Sequence, residues 1–304
     1  MNHRLLIVLT LLISTSSPAL AQRPLRWKLA AGDQLQVNVT QQTTSSVIIA
    51  GKPVKTTLEL TLETLWSVDS ANEKQYKITQ TVKRLAVKMQ SGGSPPIAYD
   101  SAAKNQPVGT AKEVATAVKP LLEEGSALIV TMDTRGEVLS AEPNAKLADL
   151  WKATTSKAIG GPGGIASSQE LLKRSMVLLP EKPVAAADAG KAMWSKEREV
   201  EIAIGRVTQS TDFIYAGEVE EAGQKLDKID FTSKLAIVPG GAKSLKLTLK
   251  EQAQTGHALF SAERGCVLSA EQTQKLVTEA PYRETVITVT VESSVKTVVS
   301  PVKK

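Results

Sequence analysis

Apolar and polar residues alternate with a period of two through most of this chain. Leu35, Val37 and Val39 are separated by Gln36 and Asn38, Leu58, Leu60 and Leu62 by Glu59 and Thr61, and Tyr76, Ile78 and Val82 continue the series. Successive side chains of an extended strand point to opposite sides, so this spacing predicts strands with one buried and one wet face. Gly51-Lys52-Pro53 and Asp69-Ser70-Ala71-Asn72 break the runs with turn residues, and residues 33–90 read as a three-stranded antiparallel meander. The pattern returns in Val200, Ile202 and Ile204, in Phe213 and Tyr215, in Ile229, Phe231, Leu235 and Ile237, in Leu245, Leu247 and Leu249, and in Ile287, Val289 and Val291.

Three stretches carry helical spacing instead. Residues 111–124 place Val114, Val118, Leu121 and Leu122 on one side, with Pro120 expected to kink or divide the helix. Pro143 suits a first helical turn and Leu147, Leu150 and Trp151 form a stripe, which predicts a helix over about 143–158. Ser167 followed by Glu170 is a capping-box pattern that opens a helix over 167–179, through Leu171, Leu172 and Met176, ended by Pro180. Gly160-Gly161-Pro162-Gly163-Gly164 lacks the Lys-Ser/Thr ending of a phosphate loop and reads as a connector. The expected fold class is α+β, mainly antiparallel β, with short helices covering the sheet faces.

One block occurs twice. Arg135-Gly136-Glu137-Val138-Leu139-Ser140-Ala141-Glu142 returns as Arg264-Gly265-Cys266-Val267-Leu268-Ser269-Ala270-Glu271, and nine of the thirteen positions from Arg135 to Leu147 match those from Arg264 to Leu276. Each block reads as a tight hairpin followed by the start of a short helix, the second over about 257–278. The chain is therefore expected to hold two related units of curved sheet, residues 22–158 and 183–304, joined by a Gly-rich connector and helix at 159–182.

Met1 to Ala21 has a basic start at Arg4, an apolar centre from Leu5 to Ile13 and an Ala19-Leu20-Ala21 ending, the three parts of a signal peptide. Cleavage is expected after Ala21, with export to the periplasm or the exterior and no transmembrane segment left in the mature chain. Aromatic residues make up 4% of the chain, so the interior must be built from Leu, Val, Ile and Ala. The formal net charge of +6 is spread along strand-like stretches instead of clustering beside aromatics, which argues against nucleic acid as a partner.

Candidate chemistry is sparse. Cys266 is the only cysteine and His257 the only histidine after the signal, so neither a disulfide nor an imidazole–thiolate metal cluster can be assembled within one chain. Cys266 takes the position that Glu137 holds in the other block, which predicts an inert thiol near the surface. Glu123-Glu124 and Glu220-Glu221 are adjacent and point in different directions, a poor arrangement for acid–base work. Arg135 with Glu142 and Arg264 with Glu271 are expected to form ion pairs across their hairpins; facing a common groove, the two arginines would instead suit an anionic headgroup. No catalytic, cofactor-binding or metal-binding residue is assigned, and no cofactor is expected.

Trp27-Lys28-Leu29-x-x-Gly32-Asp33, Leu179-Pro180-x-Lys182-Pro183-Val184 and the Gly-x-Val-Leu-Ser hairpin, behind a signal peptide, resemble a family of secreted bacterial proteins of unknown function frequent among planctomycetes. The resemblance covers most of the mature chain and implies an exported, β-rich protein of two units without implying an activity. The expected role is a non-catalytic protein that holds an apolar ligand or lipid on a concave sheet face. The alternative is a structural or protein-interaction module of the envelope.

Overall fold

The computed structural model describes residues 22–49, 51–153, 177–202, 205–237, 248–282 and 285–302. Its strands are β1 (Gln34–Ile49), β2 (Lys52–Ala71), β3 (Gln75–Ser91), β4 (Ile97–Asp100), β5 (Leu128–Asp133), β6 (Val138–Pro143), β7 (Met193–Ile202), β8 (Gly205–Glu221), β9 (Gln224–Ile237), β10 (Thr248–Ser261), β11 (Cys266–Tyr282) and β12 (Thr285–Pro301). All belong to one antiparallel sheet, in the order β6-β5-β3-β2-β1-β12-β11-β10-β9-β8-β7, with β4 on the flank of β3. Pairing of β1 with β12, from Leu35 opposite Pro301 to Ile48 opposite Thr288, joins the two halves. Residues 33–90 are the meander β1-β2-β3.

This corrects the α+β expectation. The chain is 66% strand and 9% helix, a mainly β protein built on one sheet of twelve strands. Two helices are described, α1 (Thr110–Leu122) and α2 (Ala145–Ala153). α1 lies on β3 and β4, and α2 packs on α1 and β6 with Leu147 in the core, so both helices are confined to one flank of the sheet. The predicted segment 167–179 falls largely outside the described residues, as does the connector Gly160–Gly164. Its last residues, Val177 to Leu179, are not helical.

The two matching blocks show why the helix count was too high. In the first, Pro143 ends β6 because it has no N–H to give to a ladder, and the Asn144 Oδ1 accepts the Leu147 N–H at 2.9 Å to start α2. In the second, Gln272 and Thr273 stand at those positions, and β11 runs on to Tyr282 between β10 and β12. The blocks part at three consecutive positions, Pro143-Asn144-Ala145 against Gln272-Thr273-Gln274. The hairpins themselves correspond: Met132 pairs with Val138 and Thr131 with Ser140 around a bulge at Leu139, while Phe260 pairs with Val267 and Leu259 with Ser269 around a bulge at Leu268.

A strap, residues 22–33, lies against one face of the sheet and buries Leu25, Trp27 and Leu29. The Trp27 N–H donates to the Thr134 carbonyl at 2.8 Å and the Lys28 N–H to the Gly265 carbonyl at 2.7 Å, so the strap is bonded to both hairpin turns. Gly136 and Gly265 both have positive φ, 88° and 62°. A Cβ at Gly136 would stand 2.8 Å from the Trp27 Nε1, and one at Gly265 would stand 2.4 Å from the Lys28 Cβ. Glycine is required there twice over, by backbone conformation and by the approach of the strap.

The edges of the sheet come together at this end. Val177 to Pro180, all buried, run between them: the Leu179 N–H donates to the Arg135 carbonyl at 2.9 Å, and the Trp194 Nε1–H of β7 donates to the Leu178 carbonyl at 2.8 Å. Lys196 of β7 pairs with Glu137 beside β6. The sheet is therefore curled around the strap, with a seam filled by Val177–Pro180, and its concave side holds a single core that includes Trp66, Tyr76, Met132, Tyr215 and Phe260.

Gly265→Ala is expected to cost about 2–4 kcal/mol, from the left-handed backbone and the Lys28 contact together. Gly223→Ala, also at positive φ but with nothing within 4 Å, is expected to cost only about 1 kcal/mol. Urea midpoints of the two variants measure the difference; equal losses would mean that strap contact contributes nothing.

Candidate functional site

The concave face divides into two regions. At the hairpin end it is filled by the chain itself. Arg23 opens the strap, exchanging backbone hydrogen bonds with Val184 at 2.9 and 3.0 Å and giving its guanidinium to Asp227 at 2.6 Å and Glu218 at 2.5 Å. Asp227 is 1% exposed and also accepts the Tyr215 hydroxyl at 2.9 Å. Burial, with the Asp227 carboxylate next, pushes the Tyr215 hydroxyl up to about 12. Arg26 donates to the carbonyls of Leu25, Pro180 and Glu181, and Arg135 donates from Nε to Leu179 at 3.0 Å. The Trp27 and Leu179-Pro180 motifs, far apart in sequence, are thus one packed unit.

Farther along the strands the same face is open. The inward positions that continue Leu35 and Val37 are Val39, Gln41, Thr43, Ser45 and Val47 on β1, which stand opposite Leu62, Leu60, Leu58, Thr56 and Val54 on β2. Leu62, Leu60 and Leu58 in turn face Leu85, Val87 and Met89 on β3. Trp66 and Ile78 at the filled end are 2% and 0% exposed, whereas Leu58, Leu60, Val87 and Met89 are half-buried and Val54 is 43% exposed. The alternation is unchanged along each strand; among the described residues these positions are less covered than those at the hairpin end.

The opposite face carries a series of ion pairs. Lys296 pairs with Glu271 at 2.6 Å, Lys275 with Glu251 at 2.8 Å and Lys88 with Glu59 at 3.5 Å, all partly exposed. Arg84 binds Asp100 at 2.7 Å and Glu63 at 3.0 Å, and its guanidinium holds the Asp100 carboxyl down to about 2. An open groove of about 500 Å³ crosses β8 to β11, lined by Met193, Ile214, Asp212, Asp230, His257 and Glu271 among others.

Three expectations about individual residues are corrected. Arg135 does not reach Glu142: its guanidinium turns to the Leu179 carbonyl at the seam. Glu271 bonds Lys296 of the next strand in place of Arg264, which is exposed. The arginines share no groove, since the strap passes between their hairpins. Cys266 is 1% exposed, a core residue and not a near-surface one, and burial pushes its thiol up to about 11. Its counterpart Glu137 is on the seam, where it meets Lys196, so matched positions in the two blocks have different surroundings. His257 pairs across β10–β11 with Glu271 and Cys266 with Ser261, so the two do not meet. Among the described residues no group of three or more His, Cys, Asp or Glu side chains could hold a metal ion.

No family model matches the chain, and no curated protein matches it. Similar solved structures include a lipovitellin structure concerned with lipid–protein interactions, with a TM-score of 0.47 and 11% identity over 91% of this chain and 26% of that one. This chain therefore spans about a quarter of lipovitellin. A YmcC-like exported protein from Bacteroides fragilis gives 0.29 and 10% over 93% of this chain and 100% of that one. An outer membrane channel from Pseudomonas putida gives 0.24 and 9% over 90% and 97%. Scores this low carry no argument about fold or function. No helix among the described residues is long and apolar enough to cross a membrane, which leaves β-barrel spanning unaddressed.

Cys266 is expected to resist thiol reagents at neutral pH in the folded protein and to react stoichiometrically in denaturant, because the thiolate is disfavoured and its sulfur buried. A time course with a chromogenic disulfide measures it. The Tyr215 shift sets an alkaline limit. A hydroxyl raised above the ordinary value of 10 favours the neutral form in the fold. Its contribution is complete below pH 10 and is lost as pH rises toward about 12. Ultraviolet titration is expected to show a late-titrating tyrosine that Tyr215→Phe removes.

Proposed function

We propose that this is an exported, non-catalytic protein that holds an apolar ligand or lipid against the open part of its concave sheet face. The carrying observation is the inward lattice of Leu58, Leu60, Leu62, Val87 and Met89. It continues the core pattern without a gap, yet it is half-buried where the equivalent residues at the hairpin end are sealed. Exposed apolar surface continuous with a core, and extended by exposed Ile48 and Val54 at the strand ends, marks a binding surface more readily than a solvated one. The signal-peptide pattern of residues 1–21 supports export. The isolation of His257 from Cys266 supports a non-catalytic role. A second reading, an envelope interaction module, is favoured by the open groove over β8 to β11, whose mixed lining suits a protein segment.

Native mass spectrometry of protein from its own host tests both. An adduct with the mass of a lipid is expected, and Leu58→Glu with Leu60→Glu is expected to weaken its affinity about tenfold, equivalent to ~1.4 kcal/mol, and so to lower the occupancy. A protein free of small molecules but bound to another polypeptide would replace the first reading with the second.

A further inference from the structure

At the open end of the sheet the alternation of apolar and polar faces breaks down. Outward positions along β1 are polar from Gln36 through Ser46, and the next one is Ile48; along β12 they run from Lys296 through Glu292 and Thr288 to Val286. Ile48 stands opposite Thr288, so both apolar residues belong to the outward face. On the concave side of the same tips Val47 stands between Val54 and Val289. Ile48, Val54 and Val286 are 42%, 43% and 53% exposed. The β1–β2 tip also reaches past β3, since β2 continues beyond the Thr56–Ser91 pair that ends their ladder.

Apolar residues on both faces of neighbouring hairpin tips suit an occupant that surrounds them. A protein groove covers one face of a strand pair, whereas the interfacial layer of a bilayer takes in both. Charge points the same way. Residues 46–55 hold Lys52 and Lys55 and no acidic residue; both lysines are exposed, and register puts one on each face, opposite Ile49 and Ser46. In the other tip Glu279 is paired with Lys250 at 2.9 Å, and Arg283 and Glu284 cancel in charge. A lysine stem lies along apolar surface while its ammonium meets anionic headgroups.

We infer that the tips of β1–β2 and β11–β12 dock the protein on an anionic phospholipid surface, with Ile48, Val54 and Val286 in the interfacial layer and Lys52 and Lys55 among the headgroups. Docking in this pose brings the open end of the concave face to the bilayer, so the inference deepens the lipid-holding reading and rests on it for its purpose. Co-sedimentation of the full mature chain with vesicles of phosphatidylcholine alone, and of equal parts phosphatidylcholine and phosphatidylglycerol, tests it. Binding to the mixed vesicles is expected to be at least about tenfold tighter, and Lys52→Gln with Lys55→Gln is expected to remove most of that difference. Ile48→Asp and Val286→Asp are each expected to weaken binding about tenfold. Leu139→Asp, at a residue equally exposed in the β5–β6 hairpin at the other end of the strands, is expected to leave it unchanged.

Circular dichroism establishes that each variant is folded. Ile48→Trp, which keeps the tip apolar, supplies a second measurement: brominated lipid in the mixed vesicles is expected to quench its fluorescence beyond the quenching of the wild-type tryptophans. Absence of binding to the mixed vesicles, an equal loss from Leu139→Asp, or no added quenching in Ile48→Trp would overturn the inference. Native mass spectrometry separates this from the reading beneath it. A lipid adduct on a protein that ignores vesicles overturns docking and leaves the lipid-holding face, whereas tip-dependent vesicle binding by a protein without an adduct supports docking and overturns the ligand.

Discussion

Two consecutive backbone N–H groups set the shape of this molecule. Those of Trp27 and Lys28 donate to Thr134 and Gly265, one in each hairpin turn. In an extended chain consecutive N–H groups point to opposite sides, so the β5–β6 and β10–β11 turns must lie on either side of a single strand-width of strap. They are separated by β3, β2, β1, β12 and the flanking strands in the sheet order, and only strong curling brings them that close. The strap both fills the concave side and fixes its radius. The tight glycines at the two turns follow from that, as does the sealing of Tyr76, whose hydroxyl donates to the Trp27 carbonyl at 2.5 Å.

Curling creates a second requirement, because the two end strands are brought near each other without pairing. Exposed edges invite association with other chains, and closing the sheet into a barrel is one way to remove them. Here the gap is filled by Val177–Pro180, which bonds to Arg135 on one side and Trp194 on the other. Pro180 gives no N–H, but its carbonyl is taken by Arg26, so the seam is tied back to the strap. Strap, seam and hairpins are one interlocked unit at one end of the strands, which leaves the other end open.

The strands were legible because alternation is local: Leu35 to Val39 and Leu58 to Leu62 announce which face is buried without knowledge of the partner. Their length was less so, since threonine, serine and glutamine continue the β-strand where the apolar signal stops, as at Gln41 to Ser45. The helix expected after the second block failed because shared residues were weighed above the three consecutive ones that differ, Pro143-Asn144-Ala145 against Gln272-Thr273-Gln274. The strap was marked only as a motif, Trp27-Lys28-Leu29-x-x-Gly32-Asp33. Nothing within it reveals that its partners lie more than a hundred residues away. The block's glycines pointed correctly to turns, but their second role depends on the strap and could not be inferred from spacing.

The open half of the sheet raises the question of what keeps its faces from exchanging. A slip of one residue would reverse every side chain, and strands with threonine and serine on both sides resist slippage weakly through apolar burial alone. The outward ion pairs answer this. Lys296–Glu271, Lys275–Glu251, Lys88–Glu59 and the Arg84 cluster are each too exposed to add much stability. Slipping the register would turn one strand's charges inward among leucine and glutamine, without partners and at a far higher cost. The outward ion pairs therefore help to fix the register of strands 14 to 20 residues long through the cost of turning their charges inward, and not through the stability of the pairs themselves.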